Sequence, residues 1–170
     1  SFMISNPEHK QKRIGITGGI ASGKTTIAKY ISSFKKIKVL NADEIAKQFL
    51  LSKTKSYKKI IKHFGNEIID FSSPTKEIKT KLLKEIIFKK PTEKIWLENI
   101  IHPLVKESIK NKFLRMNNKC LILEIPLLFE ARFTDLCTEI WFIKCSKNTQ
   151  LKRVMNRDKI SEEEAMRIID

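Results

Sequence analysis

The chain has 170 residues, a length that suits one ordinary domain with a real hydrophobic core. Hydrophobic residues make up 41% and charged residues 31%, which excludes a disordered chain, and no apolar run reaches the ~18–20 residues that span a bilayer. The formal net charge of +15 points to acidic partners (phosphorylated small molecules, nucleic acid or an anionic surface) or to lysine spread over every solvated face.

Residues 12–17 (KRIGIT) read as a short strand that ends in glycines. Residues 25–34 have helical spacing, with Ile27, Ile31 and Phe34 on one face. A second strand is expected at 37–40 (IKVL) and a helix at 42–51. Strand, loop, helix, strand and helix in this order predict an α/β fold with a parallel sheet. Residues 54–64, 75–89, 92–101 and 103–116 carry helical periodicity, punctuated by Pro74, Pro91 and Pro103. Strand signal returns at 120–125 (CLILEI) and 139–145 (EIWFIKC), near-continuous apolar runs expected of strands covered on both faces. Residues 148–157 read as a helix, and Ser161 with Glu164 forms a capping box for another over 161–170. The expected organisation is a core over 3–51 and 119–170, with a helical insertion over 52–118.

Cys120, Cys137 and Cys145 are odd in number and show no C-x-x-C spacing, so buried free thiols in a reducing compartment are expected. His9, His63 and His102 stand far apart, and no structural metal is expected. The N-terminus shows no apolar signal core, and a cytoplasmic location is expected.

Four of the five glycines fall within residues 15–26, GITGGIASGKTT. Gly18-x-x-x-x-Gly23-Lys24-Thr25 fits the phosphate-binding P-loop pattern. A loop that wraps a phosphate turns successive N–H groups inward, and glycine reaches those angles without Cβ strain. The helix that follows adds its positive N-terminal end. Gly18, Gly19, Ala21, Ser22, Gly23, Lys24, Thr25 and Thr26 are therefore the candidate nucleotide-binding set. Lys24 supplies charge for the β- and γ-phosphates, and the Thr25 hydroxyl suits Mg2+. Ala21 occupies a position where glycine is often seen. The loop implies a nucleoside triphosphate without saying which reaction uses it. N-K-x-D and D-x-x-G signatures of guanine-nucleotide switches are absent.

Asp43 lies just past the second strand, at the edge where open α/β sheets bind ligands. It is either a carboxylate that takes a substrate hydroxyl proton or a cap for the helix that follows. Glu124 ends CLILE, where P-loop proteins place the acid that positions Mg2+, or it is a polar strand end. Arg153 and Arg157 are four apart on one helix face and either neutralise phosphate charge or form a solvated basic face. Lys55, Lys59 and Lys62 also share a face, solvated or turned to an anionic substrate.

Together these pieces resemble the dephospho-coenzyme A kinase family over nearly the whole chain, from about Lys12 to Asp170. GITGGIASGKTTIA is similar to its P-loop segment, and LNADEIA to its second-strand signature, D-A-D. FG (64–65), IHPLV (101–105), IPLLFE (125–130) and QLKRVMNRD (150–158) follow in the family's order. The resemblance implies a P-loop nucleotide-kinase fold and ATP-dependent phosphorylation of the ribose 3′-hydroxyl of dephospho-CoA, with Mg2+. It implies that Asp43 is the catalytic carboxylate, that Lys24 and Arg153 act with it, and that Arg157 reaches ATP. It implies substrate contacts from Asp43, His102, Pro126 and Leu127, and metal contacts from Thr25 and Glu124. The helical insertion would hold the CoA moiety, and about 146–165 would form a lid. Asn41 stands in place of the first Asp of D-A-D, and Thr80 where Arg is common. Members of the family continue past the position of Asp170 through further helix and strand.

Two other readings compete. A nucleic-acid-binding ATPase would use the +15 charge, but the chain lacks aromatic–basic interleaving and any recognised reading motif. A nucleoside or nucleotide kinase of the same fold is the third. The expected partner is thus a small molecule, with no specific nucleic acid and no membrane, and the expected state is a monomer or weak homo-oligomer.

Overall fold

The computed structural model describes residues 11–19, 23–34, 37–126 and 129–169. Two compact units emerge, one of residues 1–42 and 113–170, the other Asp43–Lys112. The helical unit thus takes in most of the helix after the second strand, where the sequence reading set the insertion at 52–118.

The first unit holds a four-stranded sheet of β1 (Lys12–Gly18), β2 (Ile37–Asn41), β3 (Cys120–Glu124) and β4 (Glu139–Ile143). All pairings are parallel, in the order β2-β3-β1-β4. Every C-terminal strand end therefore lies on one edge of the sheet. Around it stand α1 (Lys24–Ser32), α6 (Glu130–Phe133), α7 (Lys147–Asp158) and α8 (Glu162–Ile169). Ile14, Ile16 and Ile122 form a buried cluster against which Ile27 and Ile31 of α1 pack. Phe34 does not join them: α1 ends at Ser32, and Phe34 is half exposed with its ring edge-to-face on Tyr30.

Gly15 serves packing in mid-strand. A Cβ there would sit 2.8 Å from Ile140 Cδ1, 2.9 Å from Cys137 Sγ and 3.0 Å from Ile125 Cδ1. The β4 strand departs from the doubly covered strand expected of its sequence. Among the described residues it pairs with β1 alone, at the sheet edge, and Ile140, Trp141 and Phe142 are partly exposed. The three cysteines are free but only half-buried, against the buried thiols expected. Ser161 Oγ accepts from the Glu164 N–H, as the capping box requires.

The helical unit contains α3 (Lys55–Phe64), α4 (Thr80–Lys89) and most of α2 (Ala42–Gln48) and α5 (Pro91–Arg115). Thr54 caps α3 by accepting from the Tyr57 N–H. Ile60, Ile68, Leu83, Val105 and Ile109 are buried in this unit. Residues 75–79, expected to open α4, instead close a small hairpin. Ile69 bridges Ile78, and Asp70 Oδ1 accepts from the Ser72 N–H. Pro103 was expected to separate two helices, yet α5 runs through it for 25 residues. Ile101, Val105 and Ile109, four apart and buried, hold both sides of the proline against the core. His63 stacks on Trp96 at 3.7 Å, its Nε2 2.7 Å from Glu93, so its surroundings are structural. Among the described residues, no helix is long and apolar enough to cross a membrane.

Candidate active site

The sheet's C-terminal edge builds the site. β1 runs into Gly18 and Gly19, and the chain re-enters helix at Gly23. Gly23 is the N-cap of α1 with φ +105, left-handed backbone that costs a side chain strain and glycine none. Lys24 opens α1, and its Nζ donates to the Gly18 carbonyl at 2.8 Å, drawing the ammonium over the start of the loop. Thr25 and Thr26 are exposed in the first turn. Ala21 and Ser22 lie outside the described residues, as does Leu127.

β3 places Glu124 at the same edge. Its register pairs Glu124 with Ile16 on one side and with Asn41 on the other. The Asn41 Nδ2 donates to Glu124 Oε2 at 3.2 Å, and Glu124 is only 8% exposed. A hydroxyl (Thr25) and a carboxylate (Glu124) are hard oxygen donors of the kind Mg2+ takes, so the donor set fits that ion.

Asp43 is the second residue of α2, two residues past Asn41. Its carboxylate is exposed and stands 4.0 Å from Lys47 Nζ one turn on. It therefore lies within the first helical turn instead of occupying the cap itself. His102 is buried in α5 and Pro126 is half-buried after β3. Lys55, Lys59 and Lys62 are exposed on α3.

The two arginines of α7 part company. A Cβ on Gly23 would lie 3.3 Å from Arg153 Nη1, so Arg153 stands at the loop. Its Nη1 also donates to Cys145 Sγ at 3.6 Å. Arg157 instead makes two hydrogen bonds to Asp158, 2.8 and 2.9 Å. These bonds hold the Asp158 carboxyl below its ordinary range and raise the guanidinium further. Both arginines lie four apart on α7, but their guanidinium groups meet different partners, because the adjacent carboxylate offers Arg157 a bidentate one.

Two contacts escaped the sequence reading. Gln150 lies against Gly19, and Asn41 lies opposite Glu124. The i,i+3 spacing puts Gln150 on the helix face of Arg153, but its approach to Gly19 is tertiary. The second depends on strand register, which no local signal carries.

A parallel sheet of this order, with a glycine–lysine loop leaving its β1 strand, defines a P-loop kinase fold. The family profile described as dephospho-CoA kinase matches residues 12–170. A dephospho-CoA kinase of Prochlorococcus marinus strain MED4 is 50% identical over 163 residues, covering 95% of this chain and 80% of the relative. One from Synechocystis is 36% identical, covering 92% and 77%. Among solved structures, dephospho-CoA kinase from Campylobacter jejuni aligns with a TM-score of 0.62 at 33% identity, over 93% of this chain and 78% of that one. A Thermus thermophilus crystal structure aligns at 0.78 and 26% identity, over 94% and 78%. The chain belongs to the dephospho-CoA kinase family. It is a kinase of the final step of coenzyme A synthesis.

Proposed function

We propose that the loop from Gly18 to Thr26 holds the ATP phosphates and that Asp43 receives the proton of the ribose 3′-hydroxyl of dephospho-CoA. The hydroxyl oxygen attacks the γ-phosphorus, the bond to the bridging oxygen breaks, and ADP leaves with that electron pair. The observation that carries this reading is the single sheet edge. It gathers the Lys24–Gly18 contact and the Asn41–Glu124 pair, and the chain reaches Asp43 two residues beyond Asn41.

Lys24 and Arg153 neutralise charge that develops on the transferring group. Arg157 joins them at ATP by exchanging its Asp158 partner for phosphate. Thr25 and Glu124 would hold Mg2+, directly or through water, and the ion would supply charge neutralisation at the phosphates. The helical unit binds the CoA moiety, with the exposed lysines of α3 facing its anionic part, and 146–165 acts as a lid. His102, Pro126 and Leu127 are assigned to the acceptor side on their motifs alone. The enzyme acts in the cytoplasm, as a monomer or weak homo-oligomer, with no specific nucleic-acid partner.

ATP turnover with dephospho-CoA, set against AMP, nucleosides and shikimate, tests the acceptor. Turnover with one of the others alone would overturn it.

A further inference from the structure

We propose that Gln150 is a positioning residue of the phosphate loop, acting through Gly19. A Cβ built on Gly19 would lie 2.5 Å from Gln150 Nε2 and 3.7 Å from its Cδ. The amide therefore fills the space that any side chain at position 19 would need. Three residues along α7, Arg153 Nη1 would lie 3.3 Å from a Cβ on Gly23. Two side chains three apart on one helix face thus meet the two glycines that bracket residues 20–22. A neutral amide carries both donor and acceptor capacity, so it can steady loop N–H and C=O groups without adding charge to a phosphate site. A side chain at position 19 would meet the far end of Gln150, which would have to swing aside.

The assignment rests on reading this loop as the ATP site, and a double-mutant cycle tests it on the full-length enzyme. Gln150→Ala removes the amide, and Gly19→Ala displaces it. Each raises KM for ATP about fivefold, with KM for dephospho-CoA unchanged, an effect of the size of one lost hydrogen bond. In the double variant the loss stays at about fivefold, because the same contact has been removed once. Independent contributions would multiply to about twenty-five fold, and that result overturns the proposal. An unchanged KM for ATP in Gln150→Ala also overturns it. If Gly19→Ala fails to fold, Gln150→Glu decides the matter. A carboxylate of the same size at the phosphates raises KM for ATP more than tenfold, and no rise refutes the assignment. Lys24→Ala is the control for the underlying reading. Retained ATP affinity there would refute the loop as the ATP site, whereas its loss together with a multiplying cycle refutes Gln150 alone.

Discussion

Asn41 and Glu124 face each other across β2 and β3, the amide Nδ2 donating to the carboxylate Oε2 at 3.2 Å. Glu124 is 8% exposed, so this donor satisfies a carboxylate that water reaches poorly. The family signature places Asp at position 41, and there two carboxylates would oppose each other. In this chain the amide turns that repulsion into a hydrogen bond and fixes the direction of the acid.

Removing the donor should therefore cost stability. Asn41→Ala leaves Glu124 short of a partner, and a loss of about 1–3 kcal/mol is expected, a fall of several degrees in Tm. Asn41→Asp should also lower Tm in chelator, through like charges at contact distance, and should recover in millimolar Mg2+. Thermal unfolding with and without the ion checks both. Equal Tm values for all three chains would show that the pair contributes nothing.

Gly15 and Gly19 lie in the same glycine-rich stretch, but their substitutions should read differently. Gly15→Ala forces a methyl into contact with Ile140, Cys137 and Ile125 at 2.8–3.0 Å. Overpacking of this kind costs about 1–3 kcal/mol, and denaturant unfolding should show it. KM for ATP should not move, because that side of β1 faces core. A rise in KM without loss of stability would place Gly15 in the nucleotide site instead.

Burial pushes the Cys137 thiol up from 9.0 to about 11. The folded state thus favours the neutral thiol more than the unfolded chain does. Its contribution is fully present below pH 9 and is lost as pH rises through about 11. Tm measured from pH 8 to 11 should fall less steeply in Cys137→Ala than in the parent. Parallel pH profiles would contradict this.

Much of the site's framework was legible because it is local. Gly23, Lys24 and Thr25 announce themselves by spacing, and the capping box at Ser161 and Glu164 names a helix start before any packing is known. The Asn41–Glu124 pair was not legible, since 83 residues separate its members and only the parallel register joins them. Gln150 was seen as part of a motif but not given a role, because its role depends on Gly19 being close. Pro103 misled for a related reason. Its local preference for a helix start gave way to burial of Ile101, Val105 and Ile109 on both sides.

Lys24→Ala should raise KM for ATP by at least tenfold with little change in Tm, since it removes phosphate charge together with a partly buried hydrogen bond to the Gly18 carbonyl. Isothermal binding of ATP beside thermal unfolding separates the two effects. A collapse of Tm would make Lys24 a structural residue first.

We propose Asp43 as the group that accepts the proton of the attacking hydroxyl. The most direct measurement is kcat for dephospho-CoA in Asp43→Asn, read beside KM for ATP. A fall in kcat of roughly 10²–10⁴ with KM for ATP unchanged is the expected result. A kcat close to that of the parent enzyme would contradict the claim and leave Asp43 as a residue of the first turn of α2 alone.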